Sequence, residues 1–137
     1  MIGPKWITVA IATAIHDEAI YEFGGLPGVR DQGLLESALD RPRNVLAYEP
    51  ASSIFRLAAA SCFGIAKNHA FNDGNKRTAL LATRAFLFLN GHALEPRQDD
   101  EVATLVAVAD GSLDAARLEA WLARNSTLVA SSPWRAT

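Results

Sequence analysis

The sequence predicts an all-α fold, a compact bundle of about six helices in one domain. Ala and Leu outnumber the β-branched residues in its apolar segments, and the strict alternation of apolar and polar residues that marks a strand is rare. Glycine or an Asn-Gly pair follows several apolar segments, as is common at the ends of helices. With 137 residues, 50% of them hydrophobic and 20% charged, the chain is long enough to bury a core.

The N-terminal part predicts two helices joined by the loop GGLPGVRD. The first covers about residues 8 to 23 and ends at Gly24-Gly25, because glycine readily takes the conformation of a helix C-cap. The second is short and covers residues 32 to 40. Asp31 is its expected N-cap and Pro42 its expected stop, since the residue before a proline avoids the helical region.

Two strongly apolar helices are expected in the middle of the bundle. After Ser52 or Ser53, the stretch IFRLAAASCFGIAKN is apolar almost all the way round, which is typical of a helix buried on every side. The stretch ALLATRAFLFLNG, residues 79 to 91, is similar and ends at Asn90 and Gly91. Its helix is expected to begin near Asn75, so the loop before it joins the two central helices.

The C-terminal part predicts two further helices and a tail. An amphipathic segment covers residues 99 to 109 and a turn follows at Asp110-Gly111. The last helix is expected from Ser112, with Asp114 in its first turn, to about residue 125. The residues after it are polar and unpatterned. We therefore expect one domain over residues 1 to 126 and a flexible tail over residues 127 to 137.

The charge balance limits the classes of partner. A net charge of -2 and a pI of about 5.9 give no general attraction to nucleic acid or to an anionic membrane, so chemistry on a phosphate must depend on local cations. Cys62 is the only cysteine, which excludes an internal disulfide. The sequence contains no signal-peptide pattern and no apolar run near the roughly 20 residues of a membrane span. The expected location is the cytoplasm.

The segment KNHAFNDGNKRTAL, residues 67 to 80, indicates the chemistry of the chain. Lys76 and Arg77 fall in the first turn of the second central helix, where the helix dipole opposes each positive charge by about 0.3 to 1 kcal/mol. Gly74 allows a positive φ, so that successive backbone N–H groups converge on an anion. A bound phosphate removes the conflict, because the N–H groups, the dipole and both cations then favour the same ligand.

Two more residues of this segment predict a reaction at the phosphate. Asp73 is suited to a divalent ion that bridges phosphate oxygens, and Mg²⁺ takes such oxygen ligands. His69 can accept a proton from an attacking hydroxyl near neutral pH. Each residue also has an ordinary interpretation, since a histidine at a helix end often caps or packs, Asp-Gly is a common turn pair, and Lys76 and Arg77 could be a solvated face. Their arrangement within nine residues favours phosphoryl or nucleotidyl transfer.

These residues resemble the signature of the Fic/Doc family, written H-x-F-x-(D/E)-G-N-(G/K)-R. Residues 69 to 77, HAFNDGNKR, match it at every specified place. The stretches IHDEAI, FGGLPGVRDQGLLESAL and FLFLNG are also similar to the Doc (death-on-curing) branch, so the resemblance extends over about residues 7 to 126. It implies a compact all-α fold of about six helices, with the active-site loop between the two central helices.

The resemblance also implies a role for each residue of the motif. His69 and Asp73 are the implied catalytic residues, with His69 as the general base and Asp73 as the contact to Mg²⁺. The implied binders of the nucleotide and its phosphates are Asn72, Gly74, Asn75, Lys76 and Arg77.

Two places in the motif bear on the reaction that the resemblance implies. Many Fic proteins transfer AMP from ATP and carry glycine at the place of Lys76 and a second arginine at the place of Leu80. Doc toxins transfer the terminal phosphate of ATP to a threonine of elongation factor Tu and so stop translation, and this chain is similar to them at both places. The resemblance thus implies a toxin with protein kinase activity. Transfer of AMP to a protein hydroxyl, and a module without catalysis that acts through its antitoxin, are the alternatives.

A protein partner is implied as well. The inhibitory string (S/T)-x-x-x-E-(G/N) of many Fic proteins does not occur in this chain. Doc toxins are restrained by a Phd-like antitoxin whose C-terminal segment becomes helical in a groove on the toxin. No direct contact with nucleic acid is expected. His16 and His92 are expected to be structural or solvated, and Arg84 either reaches the edge of the site or forms a buried ion pair.

Overall fold

The structure is a computed structural model that describes residues 3 to 131 and residue 134. This part of the chain forms six α-helices and two short β-strands, which confirms the expected all-α fold. The helices are α1 (Val9–Phe23), α2 (Gln32–Tyr48), α3 (Ile54–Asn68), α4 (Asn75–Leu89), α5 (Gln98–Asp110) and α6 (Ala115–Arg124). The strands are β1 (His92–Leu94) and β2 (Ser126–Leu128).

Helix α3 lies at the centre of the bundle. Every side chain from residue 57 to residue 66 is buried, as expected for a segment that is apolar on all faces. Helices α2, α4 and α6 pack around it, and α1 packs against α4. The loop between α3 and α4 therefore starts from the most deeply buried helix of the fold, and the packing of this helix fixes where the loop begins.

Side-chain caps explain where most of the helices begin. Thr8, Asp31, Ser53 and Asp114 each accept a hydrogen bond from a backbone N–H three residues ahead, at the start of α1, α2, α3 and α6. Helix α5 has no such bond but carries three acidic residues in its first turn, which favour the helix dipole. Helix α4 has neither a capping side chain nor an acidic first turn.

The structure corrects the expected bounds of two helices. Helix α2 does not stop before Pro42 but continues to Tyr48, with Pro42 inside the helix and buried. Proline removes a backbone hydrogen bond there, but Leu35, Ala38, Leu39 and Pro42 form one continuous buried face, so packing outweighs the local preference. Helix α6 begins at Ala115 rather than at residue 112, because Asp114 is its N-cap and not part of its first turn.

Two residues of the expected tail, 127 and 128, form a short strand together with Ser126. This strand, β2, pairs antiparallel with β1 so that His92 lies opposite Leu128 and Leu94 opposite Ser126. Strands of three residues are too short to show an alternating pattern, and their partner is distant in sequence. Trp134 also packs, partly buried, against the core. The remaining residues of the expected tail, 132, 133 and 135 to 137, lie outside the described residues.

Arg84 and His92, for which two interpretations were open, are both structural. Arg84 donates to the Leu94 carbonyl and forms an ion pair with Glu101 at 2.6 Å, so it ties α4 to β1 and α5. The His92 ring lies edge-on to Phe55 with 4.9 Å between the ring centroids, and partial burial lowers the pKa of His92. No helix among the described residues is long and apolar enough to span a membrane.

We predict that Gly64→Ala destabilises the crossing of α2 and α3. A Cβ at residue 64 would lie 2.8 Å from the carbonyl oxygen of Ala38, a backbone atom that cannot move unless the helices separate. We expect the free energy of unfolding, measured with urea, to fall by about 1–3 kcal/mol despite the better helix propensity of alanine.

Gly33→Ala is the matched control for this prediction. Gly33 lies in the exposed first turn of α2, where a Cβ would meet only Asp31 Oδ1 at an ordinary 3.4 Å. This variant should be at least as stable as the wild-type protein. Equal stability of the two alanine variants would contradict the close packing of α2 on α3.

Candidate active site

Two residues in the left-handed conformation turn the chain from α3 into α4. His69 is the C-cap of α3 with φ 52° and ψ 45°, and it is the only non-glycine residue with a positive φ in the described part of the chain. Gly74 has φ 72° and ψ 21° and directly precedes α4. A positive φ is unfavourable for a histidine, so tertiary contacts must hold this loop, residues 69 to 74, in place.

The buried side of the loop rests on α1. Phe71 is almost fully buried, and its ring stacks on the buried His16 ring with 3.9 Å between centroids and an angle of 8° between planes. His16 Nε2 lies 2.8 Å from the carbonyl oxygen of Asp73. A carbonyl only accepts, so Nε2 carries the hydrogen and donates. His16 is therefore structural, and it fixes the backbone at the residue expected to contact Mg²⁺.

Asn75, the first residue of α4, closes the loop from inside. Its Nδ2 donates to the carbonyl of Phe71 and its Oδ1 accepts from the N–H of Phe71, both at 3.0 Å. These bonds use the Oδ1 atom and one of the two hydrogens on Nδ2, so Asn75 keeps one side-chain N–H and its backbone N–H as donors for a phosphate.

A covering segment, residues 24 to 31, lies along the outer side of the loop. The backbone N–H of Asn72 donates to the carbonyl of Gly28 at 3.1 Å, and its side-chain amide donates to the carbonyl of Pro27 at 3.0 Å. Val29 and Phe71 form an isolated antiparallel bridge. The amide of Asn72 thus attaches the covering segment to the loop.

Arg30 of the covering segment holds the backbone of His69. Its Nε and Nη2 atoms both donate to the His69 carbonyl, at 2.9 and 2.6 Å. The backbone N–H groups of Arg30 and Asp31 donate to the next carbonyl, that of Ala70, at 2.8 and 3.0 Å. These bonds satisfy the carbonyls of the C-cap His69 and of the residue after it, and they hold His69 in its left-handed conformation.

Asp73 presents an exposed carboxylate that two backbone groups orient. Its Oδ1 accepts from the N–H of Gly74 at 2.9 Å, and its Oδ2 accepts from the N–H of Leu26 at 3.2 Å. The chain passes so close that a Cβ on Gly25 would lie 2.8 Å from Oδ2. A carboxylate offers about four acceptor positions, so two remain for other ligands.

The surroundings of Asp73 fit a magnesium ion that is shared with a nucleotide. No group of three or more His, Cys, Asp or Glu residues within residues 3 to 131 could hold a metal ion. Mg²⁺ often uses one or two carboxylates, substrate phosphates and water instead, and a single exposed carboxylate beside an anion site meets that requirement.

The first turn of α4 combines free backbone donors with two cations. A helix leaves its first N–H groups without partners, and α4 supplies no side-chain cap for them. Lys76 and Arg77 are exposed, and none of the ion pairs in the described part of the chain involves either of them. The Arg77 guanidinium lies over the ring of Phe23, with Cζ 3.9 Å from the ring centroid. This arrangement is suited to an anion.

Residues 6 to 87 match the model of the Fic/DOC family. The chain belongs to this family. It is 39% identical over 101 residues to the protein named Protein kinase doc of Escherichia phage P1, covering 73% of this chain and 79% of that protein. It is also 39% identical over 102 residues to the protein named Toxin Doc of Mycolicibacterium smegmatis, covering 71% and 78%. The family match includes α1 to α3, the loop and most of α4, so it covers the whole candidate site of this Fic/DOC protein.

Every residue that the sequence predicts for the site lies in the loop or in the first turn of α4. The side chains of His69, Asp73, Lys76 and Arg77 are exposed. Asn72 and Asn75 instead use their side-chain amides to bond the backbone. The catalytic and binding roles of all these residues stay predictions.

Sequence reasoning missed three residues that hold the site. Arg30 donates to the His69 carbonyl, His16 donates to the Asp73 carbonyl, and the Phe23 ring lies under the Arg77 guanidinium. For His16 and Phe23 the sequence did contain a signal. Together with Ile20 they have the i, i+4, i+7 spacing of residues on one helix face. Arg30 had none, since its partner is a backbone atom that is distant in sequence.

We predict that His16 stabilises the loop through its N–H donor. His16→Leu removes the donor and the stacked ring, so the free energy of unfolding should fall by about 1–3 kcal/mol, the usual cost of a buried polar group without a partner. His16→Gln keeps an amide N–H and should lose less. Urea denaturation of the two variants checks the difference. Equal losses would contradict the role of the bond to Asp73.

Proposed function

We propose that this chain is the toxin of a toxin–antitoxin module and a protein kinase. It transfers the terminal phosphate of ATP to a threonine hydroxyl of elongation factor Tu and so blocks translation. The observation that carries the proposal is the uncapped start of α4, where free N–H groups lie beside an exposed histidine and two cations that form no ion pair with any described residue. The names of the two relatives, a protein kinase and a toxin, support it.

The phosphates of ATP bind at the first turn of α4. The backbone N–H groups of residues 75 to 77 and the side chains of Lys76 and Arg77 supply donors and positive charge on one side of the loop. Lys76 stands where AMP-transferring relatives carry glycine, and Leu80 where they carry a second arginine. These two places favour a nucleotide bound with its terminal phosphate toward the protein substrate.

His69 acts as the general base. Its imidazole accepts the proton of the threonine hydroxyl while the threonine oxygen forms a bond to the γ-phosphorus. The bond between that phosphorus and the β–γ bridging oxygen breaks, and ADP leaves with the electron pair. Asp73 would hold Mg²⁺, which would neutralise charge on the phosphate oxygens. Arg30 keeps His69 in position by donating to its backbone carbonyl, and His16 does the same for Asp73.

The proposed regulatory partner is a Phd-like antitoxin whose C-terminal segment folds as a helix on this chain. A helix that lies in a groove needs exposed apolar side chains opposite its own apolar face. A cleft of about 450 Å³ between α4 and β1 offers such a surface, with the half-buried Leu81 and Ala85 in its wall and the exposed Phe88 at its side.

We predict that radioactive phosphate reaches the substrate only from the γ position of ATP. The purified protein is incubated with elongation factor Tu, Mg²⁺ and either γ-labelled or α-labelled ATP. His69→Ala should lower the rate of γ-label transfer by about 10²–10⁴-fold, because a positioned general base contributes that much. His92→Gln, at a histidine outside the site, is the control and should retain activity.

Two outcomes would remove the kinase assignment. Transfer of the α label alone would favour the alternative, an AMP-transferring enzyme of the same fold. Equal growth arrest by the wild-type protein and by His69→Ala in bacteria would favour a module without catalysis that acts through its antitoxin.

We also predict that Asp73 sets the requirement for Mg²⁺. In Asp73→Asn the side chain keeps its size but loses its charge, so half-maximal transfer should need about tenfold more Mg²⁺, equivalent to 1.4 kcal/mol. Asp40→Asn, an exposed position on α2, is the control for a change in net charge. An unchanged Mg²⁺ dependence in Asp73→Asn would show that this carboxylate does not contact the ion.

A further inference from the structure

Among the hydrogen bonds, ion pairs and ring contacts in the described part of the chain, the Arg77 side chain makes one, with the aromatic ring of Phe23. The guanidinium carbon lies 3.9 Å from the ring centroid. The other two contacts between a cation and a ring, Arg43 with Trp6 and Lys67 with Phe63, are longer, at 5.2 and 6.0 Å. Phe23 is the last residue of α1 and is 54% exposed, so its contact with Arg77 is not a consequence of burial in the core.

The geometry of this contact leaves Arg77 able to bind an anion. A guanidinium that lies over a ring uses the face of its plane, whereas its five N–H donors lie in the plane and point outward. A carboxylate partner would instead occupy two of these donors and neutralise the charge. An aromatic ring therefore orients this arginine without competing for the ligand.

Phe23 also belongs to the face of α1 that supports the loop. His16, at position i, donates to the Asp73 carbonyl. Ile20, at i+4, lies so close to Gly74 that a Cβ there would be 3.3 Å from Ile20 Cδ1. Phe23, at i+7, lies under Arg77. One helix face thus contacts a backbone carbonyl, a left-handed glycine and a side-chain cation of the same site.

We propose that Phe23 is a positioning residue that holds the Arg77 guanidinium beside the first turn of α4 with its donors free for the phosphates of ATP. The inference rests on the proposed function, because it takes those phosphates as the ligand. It adds a residue outside the family signature to the nucleotide site and assigns it a defined partner.

A double-mutant cycle on equilibrium binding tests this proposal. The dissociation constant of ATP with Mg²⁺ is measured for the wild-type protein, Phe23→Leu, Arg77→Gln and the double variant. Phe23→Leu should weaken binding by about two- to fivefold, as expected for an exposed contact between a cation and a ring. In the Arg77→Gln background the same change should have no further effect. Phe23→Tyr, which keeps the ring, should bind like the wild-type protein.

Two controls separate positioning from a general effect on folding. Tyr21→Leu changes another exposed aromatic residue of α1, 91% exposed, and should leave ATP binding unchanged. In the protein without nucleotide, the ring current of Phe23 should shift the proton resonance of the Arg77 Nε–H group. This shift should persist in Phe23→Tyr and disappear in Phe23→Leu, whose folding is verified by its thermal denaturation.

The outcomes distinguish this proposal from the proposed kinase activity. Wild-type ATP affinity in Phe23→Leu, or an equal loss of affinity with and without Arg77, would overturn the positioning role of Phe23. Transfer of only the α label of ATP would remove the kinase assignment while the binding cycle still reports on Phe23 and Arg77.

Discussion

The site depends on a helix that starts without a cap. Four of the six helices in the described residues begin at a capping side chain, and α5 begins with acidic residues, whereas α4 begins with a left-handed glycine followed by Asn75, Lys76 and Arg77. Free N–H groups and two cations at one helix end are unfavourable together, by about 0.3 to 1 kcal/mol for each charge. When a phosphate is bound, the free N–H groups, the helix dipole and both cations all interact favourably with it. The unfavourable charges at this helix end therefore support the proposed function.

Such an end has to be held in place by the rest of the fold. Inside the loop, the Asn75 amide closes on Phe71, and the ring of Phe71 stacks on His16. Outside it, Arg30 holds the carbonyl of His69. Asn75, His16 and Arg30 bond to the backbone of the loop, so they leave the exposed side chain of His69 and two acceptor positions of Asp73 to the ligand. Strained or unfavourable conformations at a functional site persist only when their surroundings determine them in this way.

Much of this architecture follows from local patterns in the sequence. The central helix α3, the cap Asp31 and the position of the loop were all predicted, because periodicity and capping depend on near neighbours. The continuation of α2 through Pro42 and the pairing of β1 with β2 were not, because both depend on contacts between distant segments. The role of Arg30 was missed for the same reason, because it contacts a distant segment. The positions of His16 and Phe23 on one helix face could have been predicted from their spacing.

The most direct test is a crystal structure of the protein with Mg²⁺ and a non-hydrolysable ATP analogue. We predict that phosphate oxygens lie within hydrogen-bond distance of the N–H groups in the first turn of α4, with Lys76 and Arg77 as their cationic ligands. An ordered nucleotide bound elsewhere on the protein, with this turn left to solvent, would contradict this prediction.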